Sequence, residues 1–248
     1  MKNWQKVVLL MEHNPKVTRE MLERTLGLSR SGVAKIIRQI VKDGKIRRDG
    51  PDKGGRWAVI PSTEEPKYFF FYGHDPKKLG HDKACFSQWY IRPFTVDGHR
   101  YNCMEQYMMS EKARIFRDIE MMKTILNESD PAKVKAYGRQ VKGFNPDVWH
   151  EQRSKIVFKG NYAKFSQHAD LKRYLLDTGD MVLVEASPFD TIWGIGMRAN
   201  KTAENHNNWR GLNLLGYALT AVKKQILVDE ILADAQSKTQ ASDEEPNE

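Results

Sequence analysis

The sequence predicts an α+β protein in which helices surround a small sheet, preceded by a smaller, basic helical domain. The first 60 residues contain three short amphipathic helical patterns and then two short extended runs. Residues 68–227 instead mix aromatic, β-branched strand patterns with longer helical ones. Between them "PSTEEPK", residues 61–67, interrupts the periodicity with two prolines and two acids and predicts a linker. A chain of 248 residues is long enough for both domains to bury a core.

The positive charge is concentrated at the start of the chain. The protein has a formal net charge of +8, and residues 1–62 contain 14 lysines and arginines against 6 aspartates and glutamates. The middle of the chain is mildly basic, which suits a phosphorylated ligand. Residues 228–248 contain seven acidic residues and one basic residue, and this composition predicts a disordered acidic tail.

Cysteine usage and hydropathy narrow the class of protein. Cys85 and Cys103 provide neither a disulfide framework nor a CxxC metal spacing, and the 7 histidines lack ligand spacing. No apolar run approaches the ~18 residues of a membrane span, and the N-terminus lacks a signal-peptide pattern. We therefore expect a cytoplasmic protein without a metal site or a membrane segment.

Helix caps place the elements of the N-terminal domain. A first helix is predicted over residues 4–13. Thr18 is a suitable N-cap for a second helix that ends at Leu26 before Gly27, and Ser29 caps a third. The third helix has one apolar stripe, formed by Val33, Ile36, Ile37, Ile40 and Val41.

A cationic helix face and a basic hairpin suggest nucleic-acid binding. Lys35, Arg38 and Lys42 share a face of the third helix, as a reader of the major groove requires. The run "KIRRDGPDKGGRWAVI" has the pattern of a wing hairpin, with Lys53 and Arg56 placed to contact phosphate. Residues 1–60 therefore resemble a winged helix-turn-helix domain, which predicts duplex DNA as a partner. The alternative is a solvated charged face on a protein-interaction module.

The larger domain begins with strands and a hairpin. "YFFFYG" and "ACFSQWY" are predicted strands, and Asp97-Gly98 in "FTVDGHRYN" is a strong hairpin signal. The helix "NCMEQYMMSEKARIF" follows directly. Further helices are predicted over 119–128, 131–140, 149–158, 168–177 and 208–227, with a buried strand over 181–186.

Five motifs in order resemble the NADAR (YbiA-like) N-glycosidase family over residues 68–227. They are "FSQWY", "VDGHRYNCMEQYMMSEKA", the pair Lys164-Phe165, "LLDTGDMVLVEASPFDTIWGIG" and "WRGLNLLGYAL". The resemblance implies a hydrolase that cleaves the N-glycosidic C–N bond between a phosphorylated ribose and a base-like amine, without a cofactor. The substrates it implies are ADP-ribosylated guanine and a ribosylamino-pyrimidine of riboflavin synthesis. It also places Asn213, in "WRGLN", among the substrate-binding residues.

Three carboxylates are candidates for the chemistry. Cleavage of the glycosidic bond develops positive charge at the anomeric carbon, which Glu105, Glu185 or Asp190 can stabilise while activating water. Each also has a structural interpretation. Glu105 follows Asn102 at capping-box spacing. Glu185 suits a buried, paired carboxylate, and Asp190 suits a turn cap.

Lys112 lies seven residues after Glu105, and so on the same helix face. As a lysine of lowered pKa it can form a Schiff base with C1 of the sugar, since a ribosylamine opens readily to an imine. The alternative role is a phosphate clamp.

The other candidates bind the substrate. Trp89 and Trp193 provide flat surfaces on which a base can stack, unless they belong to the core. Gly194 and Gly196 allow backbone N–H groups to approach a phosphate. A second function remains open, a DNA-binding transcriptional regulator whose NADAR-like domain senses a nucleotide-derived ligand.

Overall fold

The computed structural model describes residues 1–51, 54–75 and 83–243, and the chain forms two compact units. One unit comprises Met1–Glu65 together with Lys224–Glu248, and the other comprises Pro66–Lys223. The division between Glu65 and Pro66 falls within the segment that the sequence predicts to be a linker. Among the described residues, each helix is too short or too polar to cross a bilayer.

The described residues of Met1–Glu65 in the N-terminal unit form three helices and a hairpin, and the end of the last helix of the chain joins them. Its elements are α1 (Asn3–His13), α2 (Arg19–Leu26), α3 (Arg30–Lys42) and the antiparallel pair β1 (Ile46–Asp49) and β2 (Arg56–Val59). The predicted caps are confirmed. Thr18 Oγ1 accepts a hydrogen bond from the Met21 N–H at 3.1 Å, and Ser29 Oγ accepts one from the Gly32 N–H at 3.2 Å. Gly27 ends α2 in the left-handed region, with a φ of 62°.

The apolar stripe of α3 forms much of this unit's core. Val33, Ile37 and Ile40 are buried, and Ile36 packs against them. Val41, predicted to belong to the same stripe, is 45% exposed. Packing of four of the five stripe residues is therefore enough to hold α3 against the core.

The prediction of a disordered tail is wrong for residues 228–243. The last helix, α9 (Leu214–Asp243), continues through this segment, and its residues from Lys224 onward belong to the N-terminal unit. Ile231 is buried in the core of that unit, and Lys224 Nζ lies 2.7 Å from Glu12 Oε1. Burial of an apolar face, which composition alone does not reveal, stabilises this acidic helix. Residues 244–248 lie outside the described residues.

In the larger unit, the described residues form six helices around two small sheets. Strand β3 (Tyr68–Phe71) pairs in parallel with β6 (Val182–Glu185), and β4 (Phe94–Val96) pairs with β5 (His99–Tyr101) in a hairpin. The helices are α4 (Met104–Ile115), α5 (Ile119–Leu126), α6 (Pro131–Gly138), α7 (Pro146–Gln167), α8 (Ala169–Asp177) and the first part of α9. This arrangement fits the predicted α+β class.

The hairpin between β4 and β5 forms as the sequence predicts. Asp97 and Gly98 connect the strands with φ values of 49° and 80°. Two positive φ angles in a two-residue loop are typical of a type I′ turn, whose twist matches that of the strands. The chain then enters α4 at Met104.

Helix α4 is the buried centre of the larger unit. Residues 104–110 are all buried, and the helix packs against α5, α6 and α7. Gly160 of α7 allows this close packing, because a Cβ there would overlap the Tyr107 ring. A side chain near the start of α4 is therefore held in the interior, and Glu105 occupies this position.

Three predicted elements of the larger unit differ in the structure. "ACFSQWY" is a short 3₁₀ helix (Lys83–Phe86) and a turn instead of a strand. Helix α7 is longer than the predicted 149–158, since Asn145 caps it and Pro146 begins it. Residues 209–213, predicted to be helical, form an irregular segment. The N–H groups of Arg210, Leu212 and Asn213 bond carbonyl groups of the loop after β6, as Leu212 does with Thr191.

Candidate active site

A pocket of about 390 Å³ opens in the larger unit. The turn at residues 87–89, helices α4 and α6, and the segment from the end of β6 to Trp193 line its walls. It brings together all four predicted catalytic residues and both predicted stacking residues, namely Glu105, Lys112, Glu185, Asp190, Trp89 and Trp193. Residues far apart in the sequence thus share one cavity.

Glu105 is a buried carboxyl in the pocket wall. Its side chain is 3% exposed, and burial raises its pKa to about 7. The Lys135 charge and a hydrogen bond from the Trp89 side chain oppose this rise, because both stabilise the ionised form. The capping-box interpretation is wrong, since the Asn102 N–H donates to Gln106 Oε1 at 2.7 Å.

Glu185 ends strand β6 at the pocket. Burial raises its pKa to about 8, and the negative charge of Asp190 adds to the rise. Asn213 of the adjoining loop holds the backbone here, because its Oδ1 accepts the Glu185 N–H at 3.0 Å. Two carboxyl groups with pKa values near neutrality therefore share one cavity, an arrangement suited to general acid and base catalysis.

Asp190 both shapes the loop and faces the pocket. Its Oδ1 accepts hydrogen bonds from the N–H groups of Ile192 at 2.9 Å and Trp193 at 2.7 Å. The predicted turn cap is therefore present. Its charge nevertheless raises the pKa of both pocket glutamates, so the carboxylate belongs to the same electrostatic cluster.

Lys112 lines the pocket on the same face of α4 as Glu105. Its Nζ donates to the Gly138 carbonyl at 2.7 Å and lies 4.1 Å from the centroid of the Phe144 ring. Burial lowers its pKa, and the Glu105 charge opposes that change. A lysine in these surroundings is closer to the neutral, nucleophilic amine than a solvated lysine is.

Both tryptophans line the cavity instead of filling the core. Trp89 also lies beneath Lys135, whose Nζ is 5.7 Å from the centroid of the Trp89 ring. Trp193 follows the Asp190 turn, which fixes its backbone. Each exposes part of its ring, so a planar base has two candidate stacking surfaces.

Gly194, Gly196 and Asn213 have structural roles and do not line the pocket among the residues that the structure describes. A Cβ on Gly194 would lie 2.8 Å from the Glu185 carbonyl oxygen, so glycine permits the loop to fold against β6. The Gly196 N–H donates to the Asp190 carbonyl at 3.1 Å. Asn213, fully buried, bonds β6 through both side-chain amide atoms. Contact of these three residues with phosphate or substrate stays a prediction.

Residues that the sequence did not identify also line the pocket, among them two cations, an aromatic ring and a buried amide. Lys135 and Arg139 of α6 provide positive charge, and Phe189 of the loop is 84% exposed. Gln88, in the motif "FSQWY", is buried. Helix α6 has no catalytic motif, so only its packing against α4 reveals its role.

Three buried polar atoms at the pocket lack a hydrogen-bond partner among the described residues. They are Gln88 Oε1, Glu105 Oε1 and Glu185 Oε2. Such atoms are costly in a folded protein unless a ligand or water satisfies them. Their convergence on one cavity marks it as a binding site for a polar ligand. No His, Cys, Asp and Glu cluster suited to a metal ion occurs in the chain as described.

The predicted DNA-binding residues lie in the N-terminal unit. Lys35, Arg38 and Lys42 are exposed on α3. Arg56 lies 4.0 Å from the Asp49 carboxylate, which also accepts a hydrogen bond from Arg47 at 2.9 Å. Lys53 falls outside the described residues.

Comparison with known proteins identifies relatives of the unit that holds this pocket. An N-glycosidase of Acanthamoeba polyphaga mimivirus is 41% identical over 168 residues, 65% of this chain and 98% of that protein. The N-glycosidase YbiA of Shigella flexneri serotype 5b is 30% identical, over 60% of this chain and 84% of YbiA. The NMR structure of the E. coli protein YbiA aligns with a TM-score of 0.56 and 27% identity, over 68% of this chain and 90% of YbiA. The NADAR domain model matches residues 70–227, and the chain therefore belongs to the NADAR domain family.

Proposed function

We propose that this N-glycosidase hydrolyses the C–N bond between C1 of a phosphorylated ribose and a base-like amine. The observation that carries the proposal is one cavity with two glutamates, Glu105 buried and Glu185 partly buried, beside two tryptophans and three cationic side chains. A base can stack on Trp89 or Trp193, and Lys135 and Arg139 can hold phosphate. Relatives named N-glycosidase share this part of the chain.

The glutamates supply the proton chemistry in this proposal. With pKa values near 7 and 8, one carboxyl holds a proton at neutral pH and can donate it to the departing nitrogen. Asp190, or the ionised partner, stabilises the positive charge that develops at C1. Water then attacks C1 and completes hydrolysis.

Lys112 offers a second, covalent route to the same products. The sugar ring opens to an imine, Nζ of the neutral lysine bonds C1, and the C1–N bond to the base breaks. Glu105 moves the lysine proton to the leaving amine. Water then hydrolyses the new imine, which releases the sugar aldehyde and restores Lys112. The phosphate-clamp role is the alternative.

Two substrate types fit this chemistry, ADP-ribosylated guanine and a ribosylamino-pyrimidine. The direct test is to incubate the full chain with each and measure release of the free base by chromatography. Turnover of either one supports the N-glycosidase proposal. Tight binding of both without turnover would favour the ligand-sensing alternative.

Phe189 favours the ADP-ribosyl type, since its exposed ring at the pocket mouth can stack on a second base. Phe189→Ala is expected to raise KM about 5- to 100-fold for an ADP-ribosyl substrate. KM for the matched ribose 5-phosphate substrate, which lacks adenine, should stay unchanged. Tyr217→Ala removes an exposed aromatic residue of α9 and serves as control. Equal effects of Phe189→Ala on both substrates would exclude stacking on a second base.

For the N-terminal unit we propose duplex DNA binding by a winged helix-turn-helix domain. The supporting observation is the exposed cationic face of α3 beside the β1–β2 hairpin. The DNA proposal depends on the positive charge of this α3 face and not on the net charge of the unit. The acidic end of α9 belongs to the same unit, so that its overall charge is nearly balanced. Such a module would bring the enzyme to DNA, or make it a regulator if turnover is absent.

Salt dependence tests the DNA proposal. Replacing Lys35, Arg38 and Lys42 by alanine together is expected to weaken binding and to reduce the slope of log K against log salt by about 3, at ~0.9 per phosphate contact. Binding is measured by fluorescence anisotropy with the full chain between about 50 and 200 mM salt. Over this range of salt, the affinity of a protein with several phosphate contacts falls about 10³-fold or more. A control triple variant replaces Lys155, Arg173 and Lys201, which are exposed in the larger unit. Equal slopes for the two variants would exclude the α3 face.

A further inference from the structure

Lys164 of α7 is a lysine buried completely behind the pocket wall. It is 0% exposed, and its Nζ donates to the Cys85 carbonyl at 2.7 Å and the Ser87 carbonyl at 3.4 Å. The rings of Tyr90 and Phe165 lie 5.3 Å from Nζ. The proposed mechanism does not use this residue, so its burial requires another explanation.

Burial of this ammonium group is energetically unfavourable. Desolvation lowers the Lys164 pKa to about 8. The Lys164 charge in turn lowers the pKa of Cys103, so the ammonium lies near the N-cap of α4. The positive end of a helix dipole disfavours a cation at this place. The hydrogen bonds of Nζ to the Cys85 and Ser87 carbonyl groups offset this cost.

The two carbonyl groups that Lys164 binds precede the residues that contact Glu105. The Gln88 carbonyl accepts the Glu105 N–H at 2.8 Å. Trp89 hydrogen-bonds the Glu105 carboxylate through its side chain, and its own N–H donates to Ser87 Oγ at 3.2 Å. A continuous chain of hydrogen bonds therefore joins α7, the turn at 87–89 and Glu105.

We propose that Lys164 is a positioning residue that holds the turn at residues 87–89 so that Gln88 and Trp89 stay against Glu105. The segment "ACFSQWY", predicted to be a strand, becomes a turn here because its carbonyl groups accept hydrogen bonds from Lys164. For its effect on turnover the proposal rests on the proposed function, but its effect on Glu105 is measurable in the free protein.

Lys164→Met removes both hydrogen bonds of Nζ at nearly constant volume. The turn loosens, the Trp89 hydrogen bond to the ionised Glu105 weakens, and the pKa of Glu105 rises. The measurement is an NMR titration of the ¹³C-labelled carboxyl of Glu105, together with kcat and KM. We expect an upward shift in the titration midpoint and at least a tenfold loss of kcat. Lys164→Gln keeps an N–H donor without the charge. Its Glu105 midpoint and its kcat should therefore lie between those of Lys164→Met and the wild type.

Other charged groups also face Glu105, and the substitution leaves them in place. They are Lys112 on its own helix, Lys135 and Arg139 on α6, Glu185 on β6 and Asp190 in the loop after it. A shift in the Glu105 midpoint therefore comes from the loss of Lys164, through the turn or through its charge. Lys164→Gln, which lacks the charge but keeps a donor, separates these two causes. Trp89→Phe gives the reference value, because it removes the indole donor and keeps an aromatic ring.

Lys223→Met is the matched control. Lys223 is also buried, and its Nζ donates to the Met181 carbonyl at 2.7 Å and to Thr178 Oγ1 at 2.9 Å. Its loss should change stability without moving the Glu105 midpoint. The comparison separates a positioning role from the general effect of removing a buried lysine.

A double-mutant cycle completes the test. Lys164→Gln combined with Trp89→Phe should shift the Glu105 midpoint no further than Trp89→Phe alone, because both act through one hydrogen bond. The proposal is overturned if the midpoint shifts of Lys164→Gln and Trp89→Phe add in the double variant. It is also overturned if the Glu105 midpoint of Lys164→Met equals that of Lys223→Met. An enzyme inactive on both substrates would refute the proposed function, while the titration still decides the role of Lys164.

Discussion

Glu105→Gln is expected to lower kcat/KM for N-glycoside hydrolysis by about 10²- to 10⁴-fold. The amide keeps the shape of the side chain but can neither donate an acidic proton nor accept one. The effect should appear in kcat more than in KM, because the proton moves only in the transition state. Steady-state kinetics on the substrate identified by the turnover assay measures it.

The same variant should be more stable than the wild type at alkaline pH. The folded-state pKa of Glu105, about 7, lies above its ordinary value of 4.5, so the folded protein binds this proton more tightly than the unfolded chain. Stability from this group therefore falls as pH rises from 4.5 to 7. Removing the carboxylate should recover about 3 kcal/mol at pH 8, measured by urea unfolding.

Glu111→Gln is the control for Glu105→Gln. Glu111 lies on the same helix and pairs with Arg114, with oxygen-to-nitrogen distances of 2.9 and 2.8 Å. It should leave both turnover and the pH dependence of stability nearly unchanged. Activity of Glu105→Gln within a few-fold of wild type would show that the buried carboxyl is structural.

Lys112→Arg is expected to abolish turnover if the lysine is the nucleophile. Arginine keeps the positive charge but stays protonated, so it cannot form an imine. In the wild type, borohydride added during turnover should reduce the imine and join the sugar to Lys112. Mass spectrometry of the peptide containing "SEKAR" detects the adduct.

Lys135→Arg controls for the other lysine in the pocket. Lys135 also lines the cavity, and its charge lowers the pKa of Glu105, but the proposal gives it only a phosphate contact. Borohydride should still label Lys112 in this variant. Substantial turnover of Lys112→Arg, together with no trapped adduct, would show that Lys112 is a phosphate clamp and not the nucleophile. The attacking group would then be water activated by Glu105 or Asp190.

Elements with strong local signals were predictable from the sequence. Thr18 and Ser29 are caps because their side chains bond N–H groups three residues ahead, within the same short segment. Asp97-Gly98 forms its turn because few other residue pairs adopt two positive φ angles. The pocket positions of Glu105 and Lys112 follow from helix periodicity, since both lie on one face of α4.

Elements that depend on distant partners were not predictable. The strand pattern of "ACFSQWY" gives way to a turn whose carbonyl groups meet Lys164, 79 residues away for Cys85. The acidic end of α9 is helical because Ile231 finds a core formed by residues more than 170 positions earlier. Composition describes the segment alone and contains no information on that core.

The sequence by itself determined the family, the α+β class, the helix caps and six of the residues that line the pocket, because each depends on local pattern or motif order. The tertiary structure decided what each of those residues does. It gave Gly194, Gly196 and Asn213 the task of folding the loop against β6, and it added Lys135 and Arg139 to the pocket. It also raised the pKa values of Glu105 and Glu185, because a shift in pKa depends on burial and on neighbouring charges, which only folding brings together.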